Sequence, residues 1–350
     1  MERESVFPSV PSLTSAVDAY RTCEFVTLGR SGTPVAWPTA VARRPDGTFL
    51  LTTSLAFAQK ALNVRRDGRV GLLFSDPTGS GLDPAPQVFV AGRARCPDEI
   101  MTGPQGAEDY WRMLFERQPH SRAYLSAPMR PLMQWYYLRL LITVEPERVV
   151  VREPLAELWP GGSSAAVTGT EALPGAAQLG RFPTAVLAAR DATGAPLLAR
   201  TRPRPVPAGY LVDVPSDCAV ERGPATLLVH RHDEALNHMY NASVRGDLRR
   251  TEAGWMLVPS AVVEPMGSGR PTDALRVLRH TKRSTDRYLE RRGLRRPKVQ
   301  WDGFRALAAP GAGGTGVTGG PGGTGGTGCT GAPDGLDGTG RADAAGEPTP

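Results

Sequence analysis

Between two apolar runs the chain reads TTSLAFAQKALNVRRDGRVGLLF, from Thr52 to Phe74. The hydroxyls of Thr52 and Thr53 close a strand-like run, and a helical pattern starts a few residues later. The free N–H groups and positive dipole end of such a helix favour an anion such as phosphate. Lys60, in the first turns, adds a mobile positive charge near the same point, and Arg65 and Arg66 follow about a turn later. Lysine is scarce in this arginine-rich chain, occurring only at 60, 282 and 298. A phosphate site and an ordinary surface lysine on a short helix are the two readings of this stretch taken alone.

Other reactive side chains form weaker patterns. HRHDEALNHMY brings His230, His232 and His238 together in sequence, and His230 and His232 share a face at the end of a strand. No carboxylate or cysteine is obviously paired with them, so no metal site is expected. There is no GxSxG elbow and no convincing Ser/His/Asp order. GAGGTG near the C-terminus has no strand before it and no helix after it, as a dinucleotide loop would need. Asn241 sits in a glycosylation sequon that means nothing without a secretory signal. Cys23, Cys96, Cys218 and Cys329 lie far apart without a CxxC pair, which reads as reduced thiols in a cytoplasmic protein. No catalytic acid, base or nucleophile is singled out.

The elements that would position these residues are mostly strands. CEFVTLGR and GTPVAWPTAVARR form a strand pair around a Ser31-Gly32 turn, and FLLTT follows the PDGT turn. LAFAQKALNVRR has helical spacing, with Phe57, Ala61 and Val64 on one side. RVGLLFSD and QVFVAGRARC return as strands, Glu108 to Arg117 as an aromatic-rich helix, and WYYLRLLITVEPERVVVRE as two closing strands broken near Glu145-Pro146. The second half repeats this order. FPTAVLAARDATGAPLLARTRP answers the first strand pair, YLVDV answers FLLTT, and GPATLLVH answers GRVGLLF. NASVRGDLRR then answers QVFVAGRARC, and GWMLVPSAVVEP the closing run. A last amphipathic helix is expected over Thr272–Arg292, with Leu275, Leu278 and Leu289 turned inward and its basic residues solvated.

A length of 350 residues allows two such units, and 40% apolar content supports a core. The arginine-rich, lysine-poor usage suits a GC-rich bacterial genome. The net charge of +6 permits anion binding, but the positive residues are scattered, with no basic and aromatic stripe for nucleic acid. The first residues lack a signal-peptide core, and no apolar run is long enough to span a bilayer. Expected boundaries are 1–158 for the first unit, 159–178 for a linker rich in Gly, Ser and Pro, and 179–309 for the second. Residues 310–350, rich in Gly and Thr, cannot bury enough apolar surface to offset the entropy of ordering and are expected to be disordered.

The ordered set Thr53, Lys60, Asn63, Arg66-Asp67-Gly68-Arg69-Val70, Leu72-Leu73-Phe74 and then Gln87 to Gly92 resembles the pyridoxamine 5′-phosphate oxidase-like family of flavin-binding split barrels. The resemblance covers roughly residues 20–152 well and the second half in outline. It implies a mainly β fold with peripheral helices, two tandem split barrels, and bound FMN serving an oxidoreductase that acts on a small molecule. Lys60 would bind the cofactor phosphate, with Thr53 and Thr52 on the phosphate or ribityl chain. Gln59 stands where true oxidases often carry a phosphate-binding arginine. Gln87 would reach the flavin ring, and the backbone of Trp37, Pro38 and Thr39 would run along it. The Arg/His substrate clamp of the true oxidases is not matched here, GWMLVPSAVVEP being only a faint echo of it.

Counting back from His230 as from Phe74 puts Ser216 at the place of Lys60, so the second unit is not expected to bind phosphate. It would replace the partner subunit of a homodimer and wall one asymmetric site, an intrachain pseudo-dimer that could itself dimerise. A deazaflavin reductase is the alternative, with Arg43, Arg44, Arg65 and Arg66 available for an anionic cofactor tail. A non-catalytic flavin- or haem-binding module is the third reading.

Overall fold

The computed structural model describes residues 11–155, 173–264 and 271–309. The expected disordered tail with Cys329, and the first part of the expected linker, lie outside these residues. Among them no helix is long and apolar enough to cross a membrane.

The first half folds as α1 (Pro11–Ala19), β1 (Cys23–Leu28), β2 (Pro34–Thr39), β3 (Ala42–Arg43), β4 (Phe49–Ser54), α2 (Gln59–Arg66), β5 (Arg69–Phe74) and β6 (Gln87–Arg95). Then come α3 (Glu108–Arg117), α4 (Arg130–Tyr137) and β7 (Arg139–Arg152). The second half contains α5 (Ala176–Leu179), β8 (Ala185–Arg190), β9 (Pro196–Thr201), β10 (Arg204–Val206), β11 (Gly209–Val212), β12 (Gly223–Arg231), β13 (Tyr240–Thr251) and β14 (Gly254–Val263). Two helices close the described chain, α6 (Pro271–Arg291) and α7 (Trp301–Ala308).

The repeat expected from sequence is present in the strand order. One seven-stranded sheet runs β2-β1-β5-β6-β7-β4-β3, and the other, from its opposite end, runs β9-β8-β12-β13-β14-β11-β10. Replacing each strand of the first sheet by the one seven later gives the second. All pairings are antiparallel, as the alternating strands and short Gly turns require. The fold is therefore mainly β with peripheral helices, two tandem split barrels.

The closing run is one strand, not two. Pro146 lacks an N–H, yet β7 continues through it, because a bulge takes up the irregularity. Ala91 faces Arg148 while Gly92 faces Pro146, leaving Glu147 as the extra residue. The strands approach so closely there that a Cβ on Gly92 would lie 2.4 Å from the Glu145 carbonyl oxygen. The second half repeats the device. Gly246 faces Pro259 across a bulge, and its Cβ would lie 2.1 Å from the Val258 oxygen. These two glycines fix the residue-by-residue equivalence of the halves.

Two apolar clusters form. The larger lies in the first half and includes Trp111, Tyr137 and Phe304, with Trp111 and Phe304 centroids 4.7 Å apart. Tyr288, Leu289, Val299 and Phe304 bring α6 and α7 back onto this first core, although they follow the second half in sequence. On α6, Leu289 is buried and Leu278 packs against the core, but Leu275 is 60% exposed rather than turned inward. The second cluster is shared: Val26, Ala36, Leu73 and Phe89 of the first half pack with Leu187, Leu198 and Leu228 of the second. The Thr226 hydroxyl donates to the Pro34 carbonyl across the same boundary at 2.7 Å.

Candidate functional site

The Thr52–Phe74 stretch folds as strand, 3-10 turn and short helix. Ser54 caps the turn Leu55–Phe57, its hydroxyl accepting from the Ala56 N–H at 3.2 Å. The Thr53 hydroxyl donates to the Phe57 carbonyl at 2.7 Å and closes the turn from below. No side chain caps the following helix α2, so the N–H groups of its first turn are open to another acceptor. Lys60, its second residue, is only 1% exposed, and its Nζ lies 5.9 Å from the Trp37 ring centroid on β2. It is a buried cation against an aromatic face, not a surface lysine.

The other expected ligands hold this frame together. Thr52 is fully buried and accepts from Arg139 Nη1 at 2.9 Å. Arg139 in turn lies 4.4 Å from the Tyr136 ring centroid. The Gln59 amide donates to Asn63 Oδ1 at 2.6 Å, and Asn63 Nδ2 donates to Thr27 Oγ1 at 2.9 Å. Pro38 is half-buried and Thr39 buried, both on β2 beside Trp37. The structure thus gathers Lys60, Thr53, Gln59 and the Trp37–Thr39 segment around one corner. The Thr53 hydroxyl and the Gln59 amide already have protein partners.

Trp37 also lines a small, shallow cleft between the halves, about 10 Å³ in volume and partly open to solvent. Leu228 lines it as well, and β13 contributes Asn241, Ser243 and Arg245. Alternate strand residues share a face, so the three polar side chains stand in a row. Arg245 Nε is buried with no hydrogen-bond partner among the described residues. Gln87 does not line this cleft. Its Nε2 donates to the Glu153 carbonyl at 3.1 Å, and its Oε1 is buried with no partner among the described residues. With Gly92 matched to Gly246, the residue standing at the place of Gln87 in the second half is Asn241. Sequence reasoning passed over Asn241, Ser243 and Arg245, although NASVR carries the signal as a polar residue at every second position.

The matching cleft on the other side is filled. Phe89 stands at the position of Ser243 and is buried. Arg152 lies over its ring, 5.2 Å from the centroid. It also donates to the Leu198 carbonyl at 2.9 Å and pairs with Asp217 at 2.9 Å. Nor does α2 have a counterpart, since residues 213–222 between β11 and β12 form no helix. Strand register places Val229, not His230, opposite the role of Phe74. Without a helix, Ser216 does not stand where Lys60 stands. Beside Arg152, burial pushes the Cys218 thiol up to about 11, so it is not a nucleophile at neutral pH.

His230 and His232 take their carboxylate partners from the first half, not from the adjacent Asp233 and Glu234. Glu24 Oε1 on β1 lies 2.7 Å from His230 Nε2 and 2.8 Å from Arg200 Nη2 on β9. Asp76, just after β5, lies 3.6 Å from His230 Nδ1 and 3.7 Å from His232 Nε2. Ser75 donates to Glu24 and accepts from Arg200, both at 2.9 Å. In this network every acid comes from the first half and every base from the second. Burial pushes the Glu24 carboxyl up, but Arg200 and the His230 bond outweigh it and hold it below its ordinary value. Asp76 is likewise held low, the two histidines overcoming burial. A lone Glu in the otherwise apolar strand CEFVTL was the available sign. Among the described residues no group of three or more His, Cys, Asp or Glu is arranged to hold a metal.

The four arginines considered for an anionic cofactor tail are all engaged. Arg43 pairs with Asp18 at 2.6 Å, Arg44 with Asp109 at 3.2 Å and Arg65 with Asp98 at 2.9 Å. Arg66 donates to the Leu28 carbonyl at 2.7 Å.

No family model and no curated protein matches the sequence. Among solved structures, the chain is similar to a conserved hypothetical protein from Mycobacterium tuberculosis, at 24% identity and a TM-score of 0.32, over 47% of this chain and 99% of that one. An F420 reductase matches at 20% identity and TM-score 0.28, over 39% of this chain and 94% of its own. A protein of the pyridoxine-phosphate oxidase family from Clostridium acetobutylicum matches at 14% identity and TM-score 0.29, over 42% and 90%.

Proposed function

We propose that this chain binds a flavin nucleotide, FMN, along the boundary between its halves beside Lys60 and Trp37 and uses it in redox chemistry on a small molecule. The observation that carries the reading is the buried ammonium of Lys60, held against the Trp37 ring at the uncapped start of α2. A cation and open backbone N–H groups at one point suit a phosphate. The indole face and Leu228 suit a flat ring, and the Asn241 amide suits its polar edge.

In this reading Lys60 binds the phosphate, while Pro38 and Thr39 run beside the ring. Thr53 and Thr52 shape the turn and strand under the phosphate, and Gln59 fixes α2 through Asn63. Asn241 offers the amide that the family resemblance assigned to Gln87. The bound flavin supplies the hydride transfer, and the chain supplies binding, orientation and shelter from water. One cofactor per chain follows, because the second cleft holds Phe89 and Arg152. A deazaflavin is less well supported, since Arg43, Arg44, Arg65 and Arg66 are spent on internal partners.

The test is the absorbance spectrum and mass of any small molecule released on denaturing the purified protein, followed by FMN titration. Lys60→Ala should weaken FMN about tenfold to a hundredfold, the worth of a charge-assisted contact. Riboflavin, which has no phosphate, should bind both proteins equally. A deazaflavin spectrum, or FMN affinity that does not change in Lys60→Ala, overturns the reading.

A further inference from the structure

Three of the arginines at the boundary between the halves differ in their partners. Arg200 of the second half reaches Glu24 of the first at 2.8 Å, and Arg152 of the first reaches Asp217 of the second at 2.9 Å. Arg245 has neither a hydrogen bond from its Nε nor an ion pair among the described residues, and no acidic residue lines its cleft. The side chain is half-exposed, but its buried Nε donor is left unsatisfied, and buried donors are nearly always satisfied. Its neighbours in the row are Ser243 and Asn241, both able to donate to an oxyanion, and Trp37 lines the same cleft.

We infer that Arg245, with Ser243, binds an oxyanion of the substrate, so that the small molecule admitted to this cleft is a carboxylate or a phosphate ester. The inference rests on the flavin reading only in placing that substrate beside the cofactor. It gives the second half a direct part in binding, where the first half supplies Lys60 for the cofactor. The position in register with Arg245 in the first half is Ala91, which has no charge, so this oxyanion site too exists once per chain.

The experiment is calorimetric titration of the full chain with inorganic phosphate and with acetate at low ionic strength. Wild type, Lys60→Ala and Arg245→Gln are compared, each checked for folding by its thermal midpoint. Lys60→Ala should retain an oxyanion site, and Arg245→Gln should lose affinity for it at least about tenfold. Arg245→Lys, which keeps the charge but not the fork, should fall between them. FMN affinity should stay within about threefold in Arg245→Gln, since a group that does not touch the cofactor phosphate forfeits no charge-assisted contact. Oxyanion binding that survives Arg245→Gln overturns the inference. FMN binding that falls as far as in Lys60→Ala also overturns it, because Arg245 would then serve the cofactor phosphate. If FMN does not bind wild type while Arg245-dependent oxyanion binding persists, the flavin reading fails and this inference stands.

Discussion

The two halves share a strand order and a glycine-proline bulge, yet at their boundary they have diverged in opposite directions. The first half keeps a helix and Lys60 between its fourth and fifth strands, whereas the second has only the non-helical residues 213–222 there. The cleft beside Trp37 is walled by Ser243, and the equivalent cleft is plugged by Phe89 under Arg152. Matched positions also differ in charge. Glu24 corresponds in register to Val186, and Arg200 to Pro38. A symmetric pair of identical subunits would carry each of these residues twice. A single chain can hold an acid on one side and its base on the other, and so fix one arrangement of the halves.

Giving the first half the second half's residue breaks this comparison most strongly. Glu24→Val leaves Arg200 and His230 in a buried site without their carboxylate. Removing one member of such a pair costs about 3–5 kcal/mol. Chemical denaturation should show that loss, and Glu24→Val combined with Arg200→Leu should recover a large part of it. A cost of less than about 1 kcal/mol, the worth of an exposed ion pair, would show that the acids and bases do not lock the halves.

The same contacts set an acid limb. Glu24 and Asp76 are both held below their ordinary values in the folded chain, so the unfolded chain binds more protons over that window. Their contribution is complete above the unfolded carboxylate range, about pH 4 to 4.5, and is lost as pH falls through the lower folded values. Thermal midpoints measured from pH 7 downward should therefore drop steeply below about pH 4. Asp76→Asn, which can still accept from Thr78, should flatten that drop. Equal acid slopes in the two proteins would remove Asp76 from the account.

How much of this was legible depends on where each signal lies in the chain. Strand order could be read because alternation and Gly turns are local, and the second half repeats them in sequence. The break placed at Pro146 was wrong because the bulge that accommodates it depends on Gly92, on a neighbouring strand. Lys60 stood out by rarity, and its surroundings confirm it as buried. Glu24 did not stand out as half of an ion pair, since its partners Arg200 and His230 lie in the other half and meet it only through tertiary packing. Arg245 was legible in principle from the N-x-S-x-R alternation, but a strand's pattern does not say which face meets a cleft.

Gln59 offers the finest adjustment of the comparison, an attempt to strengthen the retained site rather than remove it. It is the first residue of α2, next to Lys60, and its amide is tied to Asn63 Oδ1 at 2.6 Å. Gln59→Arg gives up that neutral bond, while Asn63 keeps its contacts to Thr27 and Arg66. The guanidinium adds a charged, planar fork at the uncapped end of the helix, where a phosphate would lie. The gain from the added charge minus the lost amide bond should be small, about threefold to tenfold in FMN affinity. Riboflavin should bind the variant and wild type equally, because it has no phosphate to sense the new charge. If both ligands tighten together, the effect comes from reshaping α2, and position 59 does not face a phosphate.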